Sequence, residues 1–351
     1  KIDNLKLRAS YGLVGSDETG TDFGHFLYLD KVELDNIKYS TGYDWQTTFG
    51  GPKISSYYVL DAGWERSKKL DVGLEMTLFR HWNITADYFY EKRSNILMQR
   101  KTWPSQLGYS ATPWSNVGKV DNWGWEFSTN YHHSINKDLS MDFRGNFTYV
   151  ENKYVYRDEP YTPYPWKRET GRPLNSTWGY IAEGLYQTED EIKYGPKVEL
   201  GSTAQVGDIK YRDLNGDGVI NETYDRTWIG CYDPDFFGGL NFDFAYKGFD
   251  LNLFFEGMFG NDVNSDWKKE SDIWLFTNPA WKNHATRMLG GWSPDNPNSD
   301  IPAISNNTAN QEQRFSSWFI EDGSYIKLRN IELGYTFPTK LIKKMHMSNL
   351  R

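Results

Sequence analysis

Short and long connections alternate without exception along this 351-residue chain. The segments they join carry side chains that change character at every second residue, which is the pattern of a strand with two unlike faces. In NLKLRASYG, Leu5, Leu7, Ala9 and Tyr11 alternate with Lys6, Arg8, Ser10 and Gly12. LDVGLEMTL sets Leu70, Val72, Leu74, Met76 and Leu78 against Asp71, Gly73, Glu75 and Thr77, and WNITADYFYE continues it after a tight turn. Further pairs are read at Trp123–Tyr131 with Leu139–Tyr149 and at Leu240–Tyr246 with Phe249–Phe255, and a last strand at Ile331–Phe337. Short turns fall at 79–81, 132–138, 247–248 and 338–348, whereas the linkers 13–69, 92–121, 151–239 and 260–323 exceed the ~12–15 residues usual for loops in compact domains. If each strand crosses one layer, all short turns lie on one side of it and all long loops on the other. A β-sandwich has no reason to sort its connections in this way.

The two faces say what that layer is. Asp87, Glu126, Asp142, Arg144, Asp250 and Glu256 suit a wet lumen, while the opposite face must meet something dry. As a soluble open sheet it would present an apolar patch far above the few hundred Å² that monomers tolerate, and no set of amphipathic helices is available to cover it. Mean hydropathy is −0.72 and no apolar run nears the ~18 residues of a membrane helix, so helical spans are excluded and a strand-built span is not. Aromatics make up 17% of the chain and gather at strand ends, as Tyr88 and Tyr90, Trp123 and Trp125, Tyr246 and Phe249, and Tyr335 and Phe337, where a lipid headgroup belt would hold them. The reading is all-β: part of a transmembrane antiparallel β-barrel, with long extracellular loops and short periplasmic turns. A net charge of −8 without a basic cluster argues against nucleic acid as a partner. Cys231 is the only cysteine, and the adjacent His132 and His133 point to opposite faces, so neither disulfides nor a histidine metal site is expected.

The most motif-like stretch is DLNGDGVINETYD, residues 213–225. Asp213, Asn215 and Asp217, the carbonyl of Val219, and Asn221 follow the first part of a calcium loop, but position twelve is Tyr224 and the closing Asp225 arrives one residue late, with Glu222 as a substitute. GDIKY before it and RTWIG after it read as strands rather than the helices of an EF-hand. A metal-free Asx turn, in which Asp and Asn cap their own backbone and Gly216 and Gly218 take positive φ, accounts for the same residues. Both readings stand, and no other cofactor is required. Seven loop aromatics, Trp166, Trp178, Tyr180, Trp267, Trp274, Trp281 and Trp292, are candidate platforms for sugar rings. Catalysis is not expected: TEDEI (188–192) and FIED (319–322) supply carboxylates, but nothing fixes a pair across a cleft, and no nucleophile elbow, Walker loop or zinc-binding His pair occurs. The soluble alternative is a secreted, calcium-stabilised carbohydrate-binding or glycan-hydrolysing β protein.

Eight blocks carry a resemblance: IDNLKLRASYGLVG, ERSKKLDVGLEMTLF with ITADYFYEKRSNIL, WGYIAEGLYQTEDEI, GDIKYRDLNGDGVI, DPDFFGGLNFDFAYKGFDLNLFFEGMFGND, TRMLGGWSPDNPNSDIPAI and WFIEDGSYIKLRNIELGYTFP. In this order they resemble the SusC/RagA family of TonB-dependent outer-membrane transporters, over nearly the whole chain. The resemblance implies a bacterial outer-membrane barrel of about 22 strands with a plugged lumen, of which residues 1–351 would supply eight to ten strands from the C-terminal part, Asn349–Arg351 beginning the next. The chain begins at Lys1 without a signal peptide, in keeping with a fragment from which the plug and N-terminal regions are absent. It also implies a SusD-like surface lipoprotein as lid, a TonB complex engaging the N-terminal part, and import of glycan oligosaccharides or, in a peptide-importing member, peptides. Two departures stand out: the 213–225 loop is one residue longer than the family's, and Cys231 and Tyr232 replace the Asn-Pro more usual before Pro234-Asp235-Phe236.

Overall fold

A computed structural model describes residues 1–17, 26, 28–59, 62–104, 106, 111–201, 203–265, 268, 286–303, 314–343, 348 and 350–351, with the side chains of 35–37 and 340 left aside. Eight long strands form one antiparallel sheet: β1 (Ile2–Ser16), β2 (Glu65–Leu78), β3 (Trp82–Gln99), β4 (Trp114–Ser134), β5 (Leu139–Tyr156), β6 (Phe236–Tyr246), β7 (Phe249–Phe259) and β8 (Tyr325–Tyr335). Spatial order equals chain order, so each strand lies beside the one before it. Among the described residues no helix is long and apolar enough to cross a membrane.

Register sorts the side chains into two faces, because one residue of slip would exchange them. Across the sheet Leu7 opposes Leu74, which opposes Ala86, which opposes Phe127; farther along, Phe244, Leu251 and Leu333 share a row. These rows form an outward face in which Leu7 is 76% and Leu333 72% exposed, the inverse of a soluble core. Neighbouring rings on this face pack across strands: Tyr88 on Trp125 at 4.7 Å, Phe127 on Phe147 at 4.9 Å, Phe249 on Tyr335 at 4.5 Å. From Trp82 to Tyr90, which mark the two aromatic rims on β3, is about 27 Å of strand, or roughly 21 Å of height at a tilt of ~40°, against the ~25 Å apolar band of membrane barrels.

The expected order of connections is present, with strands longer than hydrophobic alternation showed. The linker placed at 92–121 shrinks to 100–113, because β3 runs on to Gln99 and β4 starts at Trp114. There most side chains are half-buried and Val120 is buried, so no alternation of dry and wet positions marks the strand, while the backbone ladder, which needs none, continues. In place of the loop at 13–69 a hairpin of Lys31–Thr41 and Thr47–Ser56 stands between β1 and β2. The turn after β8 holds a short helix, Thr339–Ile342, and the Phe337 N–H then donates to the Leu350 carbonyl, bringing the chain back beside β8.

Candidate functional site

The inward face is built from ion pairs that cross strands. Lys6 and Arg8 on β1 reach Glu75 on β2 at 3.3 and 3.5 Å, Arg93 on β3 reaches Glu65 at 2.6 Å, and Lys69 reaches Glu91 at 3.5 Å. On β5–β7 Asp243 accepts from Arg144, Asn241 and Asn252, which leaves the carboxylate satisfied on all sides. Arg329 on β8 holds Glu256 of β7 at 2.6 Å, beside the register shift between Phe254 and Phe255.

At the long-loop end this polar face is roofed by the segment 157–235, which has a core of its own. Tyr180, Leu185, Leu200, Ile209, Tyr211 and Ile220 are buried together, with Trp292 and Trp318 packed against them from the next long loop. Four short ribbons hold it: Ser176–Gly179 with Thr227–Cys231, Ala182–Leu185 with Ile209–Tyr211, Lys197–Val198 with Val219–Ile220, and Asp262–Asn264 with Ile320–Asp322. The strands read on either side of the 213–225 loop are two of these. Helix Glu189–Tyr194 begins at Thr188, whose hydroxyl accepts from the Glu191 N–H at 3.2 Å. Gly207, at φ +90°, lies so close under Trp292 that a Cβ there would stand 2.6 Å from the indole ring.

Between roof and sheet is a cavity of about 590 Å³. Its floor is Glu91, Arg93 and Asn122 of β3 and β4; its roof includes Trp228, Asp233 and Asp235. Burial, with Glu151 and Asp262 nearby, pushes the Asp235 carboxyl above the usual carboxylate range. Cys231 sits at the rim, its N–H donating to Asp262 at 2.8 Å, and burial raises its thiol pKa, which leaves it a neutral packing group. The cavity therefore presents both signs of charge and the rings of Trp123, Trp228 and Phe237 at the point where the long loops open onto the inward face.

Of the seven loop aromatics, Trp267, Trp274 and Trp281 lie outside the described residues. The other four are built into the roof. The Trp166 indole N–H donates to the Tyr224 carbonyl at 2.9 Å, Trp178 pairs with Trp228 in register, Tyr180 is 3% exposed with its hydroxyl pKa raised to about 12 by burial, and the Trp292 N–H donates to the Gln187 side chain at 2.9 Å.

The 213–225 loop spends its oxygen atoms on its own backbone. Asp213 accepts from the N–H groups of Gly216 and Gly218 at 2.7 and 2.8 Å, Asp217 from Val219 at 2.8 Å, and Asn221 from Thr223 and Tyr224. Asp225, fully buried, accepts from Leu214 at 2.9 Å and Asn221 at 2.8 Å, closing the loop from its last residue to its second. Gly216 and Gly218 take φ +73° and +82°. The donor set is the one an Asx turn requires, and among the described residues no group of three or more His, Cys, Asp or Glu is gathered to hold a metal.

Two anchors escaped the sequence. Asp158, 3% exposed just past β5, takes Arg100 at 2.9 Å and the Thr102 hydroxyl at 2.9 Å, tying the β3–β4 loop to the roof. Burial would raise its pKa, but the Thr102 and Arg100 hydrogen bonds outweigh that and hold it low. Lys268 is 9% exposed, donates to the Trp318 carbonyl at 2.9 Å, and pairs with Glu321 at 2.8 Å. The partners lie 50 or more residues apart, so no local spacing signals either anchor.

The family model described as TonB dependent receptor-like, beta-barrel matches residues 2–188. TonB-dependent receptor P3 of Formosa agariphila is 31% identical over 363 residues, covering 100% of this chain and 34% of that protein. TonB-dependent receptor SusC of Bacteroides thetaiotaomicron is 24% identical over 360 residues, covering 96% of this chain and 32% of the relative. A solved structure of the RagAB peptide importer in its open-open state superposes with a TM-score of 0.68 at 20% identity, covering 97% of this chain and 34% of that one. The chain thus spans about a third of the length of the relatives it matches. It belongs to the SusC/RagA family of TonB-dependent outer-membrane receptors.

Proposed function

We propose that this chain is the C-terminal, membrane-spanning part of a TonB-dependent importer that carries a nutrient across the outer membrane. In this reading the eight strands belong to a barrel of about 22, their apolar face meets lipid, and the long loops face outside the cell. The observation that carries it is the sorting of the fold into an exposed apolar outward face, an ion-paired inward face, and a loop roof over a charged cavity at the long-loop end. Import rather than bond cleavage follows from membership of a family of receptors and transporters. A SusD-like lipoprotein closing over the long loops, a TonB complex pulling on a plug outside this chain, and the placement of residues 1–351 within one barrel domain are parts of the same proposal.

For the cargo we put peptides ahead of oligosaccharides. Glu91 and Arg93 on the floor, paired on the sheet with Lys69 and Glu65, and Asp233 and Asp235 above them put both signs of charge at the cavity wall, which suits a zwitterionic chain better than a neutral sugar. The four described candidate sugar platforms are instead engaged in packing and hydrogen bonds within the roof. The likeness to the RagAB peptide importer bears on fold alone, so the cargo reading rests on the cavity. The test is uptake by the full-length transporter, in cells with an energised inner membrane, of a labelled peptide mixture and of an oligosaccharide panel. Peptide uptake that ends when the proton-motive force is collapsed is the expected result. Uptake of oligosaccharide alone would restore sugar as the cargo, and uptake of neither would overturn the importer reading.

A further inference from the structure

The outward face carries basic side chains in register immediately above its aromatic rim at the long-loop end. Lys68 of β2 opposes Lys92 of β3, Lys92 opposes Asp121 of β4, and Asp121 opposes Lys153 of β5, so three ammonium groups and one carboxylate share a single row. The row beneath is Leu70, Tyr90, Trp123 and Glu151; the row above contains Arg66, Ser94 and Lys119. Strands stand about 4.8 Å apart, so the lysine row spans roughly 14 Å.

These cations are treated differently from those of the inward face. Lys6, Arg8, Lys69, Arg93 and Arg144 each have a carboxylate partner. Arg66, Lys68, Lys92, Lys119 and Lys153 are all exposed, and among the described residues none of them has an ion-pair partner. Nearby acids offset them only in part: Asp121, which accepts from the Tyr90 hydroxyl at 2.7 Å, and Glu151, which accepts from the Tyr149 hydroxyl, are two carboxylates against five cations. Lys92 is fixed at the rim, its ammonium 5.3 Å above the Tyr90 ring; the Lys153 ammonium lies 5.1 Å from the Trp123 ring, and Lys153 and Trp123 also line the loop cavity. At the opposite end the outward rows finish on Trp82 with Tyr131 and on Tyr246, Phe249 and Tyr335; there Lys247 of the β6–β7 turn lies 5.3 Å over the Tyr246 ring, but among the described residues no cations face one another across strands.

We propose that Lys68, Lys92 and Lys119, supported by Arg66, form a docking strip for the phosphate groups of anionic lipid headgroups in the membrane leaflet on the long-loop side. The argument rests on continuity and charge. The strip extends the lipid-facing apolar surface upward past its aromatic rim, to the depth where headgroup phosphates lie, and its positive charge exceeds what the neighbouring carboxylates offset. Long amphipathic stems let the lysines lie along the rings and present their ammonium groups to that layer. This is a property of the barrel exterior. It rests on the membrane-spanning reading of the sheet and is independent of what the transporter imports.

The test uses the full-length transporter in detergent, with thermal stability followed as lipid is added. Phosphatidylglycerol should raise the melting temperature, while phosphatidylcholine and inorganic phosphate at equal concentration should not, and added salt should suppress the rise. In a Lys68→Gln, Lys92→Gln, Lys119→Gln variant the apparent affinity for phosphatidylglycerol should fall on the order of 100-fold, with cargo binding unchanged. Equal shifts with phosphatidylcholine or with phosphate would overturn the proposal, as would an undiminished response in the triple variant. Should that variant fail to assemble, the wild-type comparison of the two lipids decides alone. Loss of cargo binding in wild type would count against the importer reading and leave this one standing.

Discussion

Arg8 on β1 reaches across an entire strand to Asp87 on β3, its Nη2 lying 2.6 Å from both carboxylate oxygens. The residue between them is Gly73, paired with Arg8 on one side and Asp87 on the other. A Cβ there would stand 2.1 Å from Asp87 Oδ1 and 2.4 Å from Arg8 Nε, so the absent side chain is the passage. The arrangement recurs at the other edge of the sheet, where Arg351 approaches Asp250 over Gly334, the residue opposite Asp250. In both places a glycine on the inward face allows charge to pair over two strand spacings.

Gly73→Val should therefore act as a charge-pair mutation as much as a steric one. Asp87 is 7% exposed and would lose its cation, while Arg8 keeps access to water, so the cost is about 1–3 kcal/mol rather than the full value for a buried pair. Urea unfolding of the full-length transporter in lipid measures it. Asp87→Asn should cost a similar amount, and Gly73→Val added to it should cost less than in wild type.

Leu74 and Leu251 lie mid-strand on the outward face, opposite Ala86 and Leu333. Leu74→Arg and Leu251→Arg should each destabilise the lipid-embedded protein by roughly 2–4 kcal/mol if they sit at the bilayer midplane. Folding yield into vesicles, read by heat-modifiable gel migration, reports this directly. Unchanged stability would remove these rows from the lipid face.

What the sequence revealed and what it hid follow from how far each interaction reaches. Strand identity, pairing and the sorting of connections were legible because Leu70 to Leu78 and Phe249 to Phe255 carry their face in a two-residue period. Strand length was not, since past Tyr90 and before Trp123 polar and apolar side chains on both faces are half-buried and the period disappears while the ladder continues. The roof core was hidden for another reason: Tyr180, Tyr211 and Trp292 converge from distant segments, and their isolated aromatic character is equally that of a ligand platform. The Arg8–Gly73–Asp87 relation could be found only after register was known, because each of the three looks ordinary in its own segment.

The Asp158 anchor gives the roof a pH dependence of defined sign. Its folded pKa lies below the ordinary carboxylate value, so its contribution is fully present above that value and is lost as the pH falls through the lowered one. At neutral pH the Thr102 amide, which donates to Asp158 at 3.2 Å, should be protected from hydrogen exchange, and that protection should fall at pH well below 4. Asp158→Asn should show the reduced protection at neutral pH already, with the β-sheet amides unaffected. A pH-independent Thr102 amide would exclude this anchor.

Asp225 should determine whether the 213–225 loop depends on metal. It is fully buried and joins the two ends of the loop through the Leu214 and Asn221 amides, a role that needs a carboxylate and no cation. Asp225→Ala should leave both amides unsatisfied, at about 1–3 kcal/mol each locally, and make the loop a preferred site of limited proteolysis. If the loop is an Asx turn, this sensitivity is the same in calcium and in chelator, and wild type resists cleavage in both. If Asp213, Asn215, Asp217 and Asp225 instead hold calcium, wild type becomes cleavable when chelator is added, and millimolar calcium, the affinity range of extracellular sites, restores it. Each of these side chains already has a hydrogen-bond partner within the loop, as the first outcome requires.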